Sequence, residues 1–361
     1  YQFIMCKISK QELNVLQIIE VIIIKNPLFI NKKYWKQFSE KELEEYKQKV
    51  FDFYKSHGFP YFELDDNKLS KIAHNLFIFD TNRILLEDDN LKQFMVGLNF
   101  VNYFMPHMFE VRCHNFKAPT DCFNDDEMLK KAIKKRISLG DNMSHAGMRK
   151  ALSWTHGTHR VSNFRPTIAK YIYDNYSGEG SVLDFSCGYG GRLFGAFASD
   201  KVKSYVGADP CKKTFDGLHR ITRFLQKQIK GSKSVVLYQK PFEDMELEEE
   251  SFDLAFSSPP YFNTEEYDYE ETQSFMKYDT KEKWRDGFLL SLIINTRKYL
   301  KPNGYFIINV ANVKTYPDLE EDVVRLATEN GYKLVKTYKM RLSKLMGSGY
   351  KYEPIFVFVK D

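Results

Sequence analysis

The stretch Ser181–Gly191, SVLDFSCGYGG, decides the fold of this 361-residue chain. Its apolar first half, Ser181–Ser186, predicts a short buried strand, and the glycines that follow lead into a helix that opens near Arg192. Because Gly188 and Gly190 carry no Cβ atom, the backbone there can turn tightly and approach a ligand closely. An ordinary strand-to-helix turn is the alternative. The Gly-x-Gly-Gly spacing differs from the Gly-x-Gly-x-x-Gly of dinucleotide sites and favours a ligand without a pyrophosphate.

Further strands follow at intervals, with helical segments between most of them. They are predicted at Ser204–Asp209, Val235–Tyr238, Phe252–Phe256 and Tyr305–Val310, and a terminal hairpin is predicted from Lys333–Met340 and Pro354–Lys360. Strands that alternate with helices predict right-handed crossovers and a mostly parallel, doubly wound sheet. We therefore predict an α/β fold, with a Rossmann-like seven-stranded sheet that ends in an antiparallel hairpin. Such a sheet binds its ligand at the carboxyl ends of the strands.

The N-terminal part of the chain has a different pattern. It is rich in charge, and its periodicity is mostly helical from about residue 35 to 155. Ser39–Tyr54, for example, combines a serine N-cap with a glutamate three positions later and an apolar face that includes Tyr46 and Val50. We therefore divide the chain into a mainly helical region, residues 1–154, and a sheet domain, residues 155–361.

Composition limits the class of protein. A hydrophobic content of 43% can build sizeable cores, and a formal net charge of +5 permits a nucleic-acid partner without requiring one. The apolar run Val15–Ile24 is too short to span a bilayer and contains Gln17 and Glu20, so no membrane partner is expected. The cysteines form no Cys-x-x-Cys pair, which favours free thiols in the cytoplasm and no metal site. They are Cys6, Cys113, Cys122, Cys187 and Cys211.

Acidic residues follow the second and third predicted strands. Asp209 lies at the tip of the second, about 20 residues after the glycine loop, where a carboxylate can accept hydrogen bonds from ribose hydroxyls. After the third strand, Glu243 is suited to accept a hydrogen bond from an adenine amino group while Phe242 covers the ring. The alternatives are a helix-capping or turn aspartate at 209 and a solvated turn around 243.

The fourth predicted strand runs into Ser-Ser-Pro-Pro-Tyr-Phe at residues 257–262. The two prolines stiffen the backbone, so that the side chain of Ser258 and the carbonyl after it point in fixed directions. Tyr261 and Phe262 offer flat faces on which a base can stack. Oxygen acceptors that hold the hydrogens of an exocyclic amine free its lone pair for methylation, and the base must leave a duplex to reach them. A proline-stiffened loop with core aromatics is the alternative.

Three segments together resemble motifs I, IV and X of the amino-methylating DNA methyltransferases, which act on cytosine N4 or adenine N6. They are Asp184–Gly191, Ser258–Tyr261 and Asn163–Lys170, and the resemblance covers about residues 155–361. It implies a methyltransferase sheet, S-adenosylmethionine as cofactor, and a base stacked on Tyr261. The catalytic residues that we predict are Ser258, Pro259, Pro260 and Tyr261. The predicted cofactor-binding residues are Asp184, Phe185, Ser186, Gly188, Gly190, Asp209, Phe242, Glu243, Asn163, Arg165 and Pro166.

The stretch Leu129–Lys150 is strongly basic, since Asp141 is its single acidic residue. Such a stretch can follow a phosphate backbone, although a solvated helix face is the alternative. Only about 70 residues separate the segments similar to motifs I and IV, which leaves no room for a recognition domain between them. The N-terminal region is therefore the best place for DNA recognition. The predicted substrate-binding residues are Lys134, Lys135, Arg136, Tyr261 and Phe262.

We therefore predict a site-specific DNA methyltransferase of the restriction-modification type. The serine at the start of Ser-Pro-Pro-Tyr favours cytosine N4 over adenine N6, and the lack of a Pro-Cys pair after the fourth strand argues against methylation of carbon 5. RNA and the side-chain amide of a protein glutamine are alternative acceptors, because the loop suits planar amines in general. A catalytically silent DNA-binding protein with a methylase fold is a third alternative. The sequence leaves the oligomeric state open.

Overall fold

The computed structural model describes residues 37–228, 233–344 and 349–361. The apolar run Val15–Ile24 and Cys6 lie outside these residues. Within them, no helix is both long and apolar enough to cross a membrane. The helices are α1 (Glu40–His57), α2 (Asp66–Phe77), α3 (Leu98–Phe104), α4 (Pro119–Asn124), α5 (Asp126–Ser138), α6 (His145–Trp154), α7 (Pro166–Tyr176), α8 (Gly191–Ala198), α9 (Lys212–Gln226), α10 (Ser274–Lys277), α11 (Lys281–Trp284), α12 (Leu290–Tyr299) and α13 (Leu319–Glu329). The strands are β1 (Asn90–Leu91), β2 (Ser181–Asp184), β3 (Ser204–Ala208), β4 (Ser234–Tyr238), β5 (Phe252–Ser257), β6 (Leu300–Asn309), β7 (Tyr332–Lys344) and β8 (Tyr350–Lys360).

The chain forms two compact units. The first contains the described residues up to Phe62 together with Asn115–Arg160. The second contains Glu63–His114 and the described part of Val161–Asp361. The structure therefore divides the chain differently from the predicted boundary at residue 154, because Glu63–His114 belongs with the sheet.

The first unit is helical and has its own small core. Helix α1 begins after Ser39, whose Oγ accepts a hydrogen bond from the Glu42 backbone N–H at 3.4 Å, while the Glu42 carboxylate accepts one from the Ser39 N–H at 2.7 Å. This capping box confirms the predicted N-cap. Tyr46 and Tyr54 on the inner face of α1 are buried, and the Tyr54 hydroxyl donates to the Met143 carbonyl at 2.6 Å.

The second unit is built on one eight-stranded sheet with the order β1-β7-β8-β6-β5-β2-β3-β4. Strand β8 runs antiparallel to β6 and β7, and the other neighbouring strands are parallel. Strands β2–β8 correspond to the seven predicted strands, so the predicted α/β fold and its terminal hairpin are confirmed. Strand β1 pairs with Lys339 and Met340 of β7 and was not predicted, since two residues carry no periodic pattern.

The position of β2 in the sheet creates a place for a ligand. Leu183 of β2 lies opposite Val206 of β3 on one side and Ala255 of β5 on the other. The loops that leave β2 and β5 therefore start side by side at the point where the strand order reverses. A parallel sheet leaves a crevice beyond its carboxyl ends at such a switch point, and ligands bind there.

Residues 63–114 brace this unit through the helices next to the glycine loop. The buried Lys170 of α7 donates to the carbonyl of Phe77, at the end of α2, at 2.9 Å. The ring of Phe100 in α3 lies 4.4 Å, centroid to centroid, from that of Phe194 in α8. These contacts explain why the segment groups with the sheet, although it was predicted as part of the helical N-terminal region.

Candidate active site

The loop between β2 and α8 depends on its glycines for its own packing. Gly190 has a left-handed backbone with a φ of +79°, and a Cβ atom at this position would lie 2.7 Å from Cδ1 of Ile221. A Cβ atom on Gly191 would lie 2.0 Å from the carbonyl oxygen of Phe164. The segment that contains Phe164 therefore lies directly against the glycine loop, and only glycine fits between them.

Asp184 organises the base of the loop. Its carboxylate is fully buried and accepts hydrogen bonds from Arg192 Nε at 2.9 Å, from the Tyr205 hydroxyl at 2.7 Å and from Ser257 Oγ at 2.7 Å. The backbone N–H of Ser186 lies 3.3 Å away as a further donor. These donors come from β3, β5, α8 and the loop itself. Asp184 was predicted to bind the cofactor, but the structure places it beneath the loop, where its oxygens serve the protein.

Ser257 ties the two predicted loops together, and it was not among the predicted site residues. Besides Asp184, its Oγ contacts the carbonyl oxygen of Ser186 at 3.2 Å. Ser186 belongs to the glycine loop, and Ser257 immediately precedes Ser258. The glycine loop and the double-proline loop are therefore fixed to each other at their roots.

Asp209 lies beside the glycine loop, at the carboxyl end of β3. Its carboxylate accepts hydrogen bonds from the backbone N–H groups of Gly188 at 2.9 Å and Cys211 at 3.0 Å. Burial raises the pKa of Asp209 to about 7, although these two N–H groups oppose the rise. The structure thus brings this predicted residue to the glycine loop, with the pKa of its carboxyl raised into the neutral range.

The segment after β4 places Phe242 in the hydrophobic core and Glu243 next to Lys277. Phe242 is buried with its ring centroid 5.7 Å from that of Phe185, so both predicted cofactor contacts lie in the hydrophobic core. Glu243 faces Lys277, whose Nζ lies 3.3 Å from Oε1. Its other oxygen, Oε2, is buried and has no hydrogen-bond partner among the described residues. Burial also raises the pKa of the Glu243 carboxyl.

The predicted residues at the start of α7 support the loop from outside. Asn163 is buried, and its Nδ2 donates to the carbonyl of Tyr189 at 2.9 Å. Arg165 donates from Nη1 to the Asn163 carbonyl at 2.6 Å, and Pro166 is the first residue of α7. Asn163 therefore positions the glycine loop and uses its amide within the protein.

Tyr261 is half-buried at the mouth of the double-proline loop. Its hydroxyl lies 3.5 Å from Ser258 Oγ and 3.4 Å from the carbonyl oxygen of Asn309, at the end of β6. Ser258 and Pro260 are also half-buried, while Pro259 is buried. The predicted catalytic residues thus form one compact turn with an oriented phenol ring.

Phe262 was predicted as a second stacking surface, and the structure contradicts this. Its backbone is left-handed, with a φ of +56°, and its ring lies 6.0 Å from that of the buried Trp284. The side chain therefore belongs to the core. A left-handed backbone is uncommon for a bulky residue, and such strain often occurs at functional turns.

The segment 263–269 lies across the other loops of this edge and was not predicted. Thr264 Oγ1 lies 3.3 Å from Thr315 Oγ1, and Cys211 Sγ lies 3.6 Å from Asp268 Oδ2. The ring of Tyr267 lies 6.1 Å from that of Tyr189 in the glycine loop. A signal existed in the sequence, because the run NTEEYDYEETQ carries five acidic residues and no basic one directly after the Ser-Pro-Pro-Tyr turn.

Several buried polar atoms on these segments have no hydrogen-bond partner among the described residues. Buried polar groups are ordinarily paired, so unpaired ones next to a crevice indicate where a bound molecule or water completes the network. Those that follow β2, β4 and β5 are Tyr189 Oη, Glu243 Oε2, Asn263 Oδ1 and Gln273 Nε2. The set offers both donors and acceptors, as a polar organic ligand requires.

The three basic residues that were predicted to contact DNA lie on α5 of the first unit, and they differ in exposure and in their hydrogen bonds. Lys134 is exposed. Lys135 is also exposed, and its Nζ donates to the carbonyl of Trp154. Arg136 is buried and donates to the Asn142 carbonyl at 2.9 Å and to Asp141 Oδ2 at 2.7 Å. The prediction for Arg136 was therefore wrong, because its guanidinium closes the turn after α5.

No protein-family model matches the chain, and no curated protein matches it either. Among solved structures it is similar to an S-adenosylmethionine-dependent methyltransferase from Methanosarcina mazei, with 16% identity over 52% of this chain and 96% of that one and a TM-score of 0.38. The N-methyltransferase NodS from Bradyrhizobium japonicum gives 14% identity over 54% and 93%, with a TM-score of 0.38. Magnesium protoporphyrin IX methyltransferase from Synechocystis, with its bound S-adenosylmethionine, gives 13% over 54% and 77%, also at 0.38. These likenesses are weak.

Replacing Asp184 with alanine is expected to lower the free energy of unfolding by about 3–5 kcal/mol, because the buried Arg192 guanidinium loses its charged partner. Urea denaturation measures the change. Asp200→Ala is the matched control at an exposed carboxylate beyond α8 and is expected to cost less than about 0.5 kcal/mol. Equal unfolding curves for the two variants would contradict the role assigned to Asp184.

Proposed function

We propose that the second unit is an S-adenosylmethionine-dependent methyltransferase that methylates the exocyclic amino nitrogen of a base in DNA. The observation that carries the proposal is the link through Ser257, which fixes the glycine loop to the Ser-Pro-Pro-Tyr turn at the switch point of the sheet. A donor pocket and an acceptor pocket that share one anchor suit a direct transfer between two bound molecules. Cytosine N4 is the preferred target over adenine N6, since serine opens the turn.

The side chains around the glycine loop fit the cofactor. Asp209 supplies a carboxylate for the ribose hydroxyls, and Glu243 Oε2 supplies an unpaired acceptor for the adenine amino group. Arg165, next to the loop, is suited to the carboxylate of the methionine end. When bound, S-adenosylmethionine supplies an electrophilic methyl group. Phe185 and Phe242 support this pocket from the core and do not cover the adenine ring.

The Ser-Pro-Pro-Tyr turn fits an amine as acceptor. Ser258 Oγ and the carbonyl that follows it can accept the two amine hydrogens, which draws the nitrogen lone pair out of conjugation with the ring. Tyr261 is half-exposed, and its hydroxyl is held near Asn309, so its ring keeps one orientation. A base that stacks on this ring has left the duplex.

The first unit supplies a surface that suits DNA. Lys150 Nζ lies 4.2 Å from the ring centroid of Trp154, whose side chain is 49% exposed. Lys134 and Lys135 are exposed on α5, and Lys135 reaches the carbonyl of Trp154. Exposed cations bind phosphates, and an exposed indole beside them can stack on a base. DNA is therefore the partner that we propose.

One observation favours a different acceptor, the side-chain amide of a protein glutamine. The run at residues 263–273 places five acidic residues and no basic one next to the proposed acceptor pocket. Such a charge repels a phosphate backbone and suits an acceptor that carries none. Incubating the protein with methyl-labelled cofactor and duplex DNA, structured RNA or a protein extract distinguishes these acceptors.

Ser258→Ala and Tyr261→Ala are each expected to reduce the rate of label transfer to DNA by about 100-fold, because each removes a contact to the reacting amine. Nucleoside analysis by mass spectrometry is expected to identify N4-methylcytosine in the wild-type product. Ser251→Ala, at the opposite end of β5, is the control and should retain the wild-type rate. Full activity in both site variants would refute the acceptor pocket.

Binding of S-adenosylmethionine is expected to tighten by about tenfold between pH 6 and pH 8. The pKa of Asp209 is about 7 in the free protein, and ribose hydroxyls donate to the ionised carboxylate, so protonation at low pH opposes binding. Titration calorimetry across this range measures the effect. Asp209→Asn is expected to bind more weakly with little dependence on pH, and Glu243→Gln should keep the dependence that Asp209 causes. A flat profile in the wild type would contradict the ribose contact.

Replacing Lys134 and Lys135 together with alanine is expected to weaken DNA binding and to reduce the slope of log Kd against log salt by about 2, since two phosphate contacts are lost. Fluorescence anisotropy over a series of salt concentrations measures both quantities. The control changes Lys41 and Lys49, which are exposed on α1. If both pairs have the same effect, the α5 surface plays no special part.

A further inference from the structure

Methylation of an amine leaves a proton to be removed. The nitrogen lone pair forms the new N–C bond, the S–C bond breaks, and its electron pair stays on sulfur. The nitrogen then carries a positive charge until it loses a proton. Ser258 and the backbone carbonyl can accept hydrogen bonds but are too weakly basic to take up an additional proton at neutral pH. Burial raises the pKa of Tyr261, so its hydroxyl stays protonated and cannot serve either.

Glu265 carries a carboxylate on the segment that directly follows the Ser-Pro-Pro-Tyr turn. It follows Tyr261 by four positions, on the connection that leaves β5, and it is half-buried. The Tyr267 hydroxyl donates to its Oε2, which holds the carboxylate in one orientation.

The segment that carries Glu265 is held against both loops. The backbone N–H of the preceding Thr264 donates to the Tyr261 carbonyl at 3.3 Å, and the ring of Tyr267, the partner of Glu265, lies 6.1 Å from that of Tyr189 in the glycine loop. Burial is the main cause of the raised pKa values of tyrosine hydroxyls on the glycine loop, on the double-proline turn and on the segment of Glu265, and of one thiol, and the carboxylate of Glu265 adds to each rise. These groups are Tyr189, Tyr261, Tyr267 and Cys113. A second carboxylate, that of Glu353 on β8, also acts on both Tyr261 and Glu265. Glu265 therefore lies within one polar cluster with the ring proposed to stack on the base.

We infer that Glu265 accepts the proton that the amine loses as it is methylated, and that Tyr267 is a positioning residue that orients the carboxylate. The inference rests on the proposed function, because it requires an amine as acceptor. The proton passes from the methylated nitrogen to Glu265 and then to solvent, so no further reactant is needed.

The ionisation of Glu265 suits this task. Burial raises its pKa to about 7, with a smaller contribution from Glu353, while the hydrogen bond from Tyr267 lowers it. A general base is most effective when its pKa lies near the working pH. The turnover number at saturating cofactor and DNA should therefore rise with pH and level off above about pH 7.

Glu265→Gln is expected to reduce kcat by about 100-fold at pH 7.5 and to abolish the rise with pH, while the Kd for S-adenosylmethionine stays within about twofold. Glu265→Asp restores a carboxylate and should recover part of both. The matched control is Glu266→Gln on the same segment, whose carboxylate accepts from the exposed Tyr269 hydroxyl at 2.6 Å. It should keep the wild-type rate and profile.

Tyr267→Phe keeps the ring and removes the hydrogen bond that lowers the pKa of Glu265. The rise of kcat should therefore move to higher pH in this variant, which a purely structural role of Glu265 would not cause. This measurement also decides the matter if Glu265→Gln fails to fold. Wild-type kcat and pH profiles in folded Glu265→Gln, or an unmoved profile in Tyr267→Phe, would overturn the inference while leaving the proposed function intact. A wild-type protein that transfers no methyl group to DNA, RNA or protein would overturn both.

Discussion

The buried ion pair between Asp184 and Arg192 is the interaction on which the rest of the site depends. Asp184 ends the central strand β2, and its two oxygens receive donors from β3, β5, α8 and the glycine loop. A buried charge pair is stable only when its remaining hydrogen-bonding capacity is also used. Tyr205 and Ser257 provide that, and in doing so they fix the geometry of the loops.

The positions of the loops depend on the Asp184–Arg192 ion pair and on the hydrogen bonds to it. Ser257, at the start of the double-proline turn, contacts the Ser186 carbonyl in the glycine loop. The backbone N–H of Gly188 in the same loop donates to Asp209. Because the glycine loop is also pressed against Phe164, it has little freedom to rearrange. A preorganised pair of pockets is what transfer between two bound molecules requires, since misplacement of reacting groups by an ångström is costly.

Charge is distributed unevenly between the proposed substrate surfaces. Exposed lysines lie beside Trp154 in the first unit, whereas the segment after Tyr261 is acidic. In the proposed enzyme, the first unit binds the phosphate backbone and the acidic segment works on the chemistry of a single extruded base. The proton acceptor role that we propose for Glu265 accounts for an acidic residue on a segment that would otherwise repel DNA.

Much of the fold could be predicted because strand and helix periods are local properties of the sequence. All seven strands of the glycine-loop half and the Ser39 cap follow from such patterns, whereas the two-residue β1 and the attachment of residues 63–114 depend on tertiary contacts. The sequence identified most residues of the candidate site, but it was less successful in predicting what each of them does. Asp184 and Arg136 are charged residues whose hydrogen bonds go to other groups of the protein. Their side-chain partners lie five to eight residues or more along the chain, and only the folded backbone brings them together. Phe262 lies in the core beside Trp284, and neither this position nor its left-handed backbone follows from its residue type.

A crystal structure of the protein with bound S-adenosylmethionine tests the central claim most directly. We predict the ribose hydroxyls at Asp209, the adenine amino group at Glu243, and the methyl group facing Ser258 and Tyr261. A cofactor bound elsewhere on the chain, or a methyl group directed away from the Ser-Pro-Pro-Tyr turn, would contradict the account.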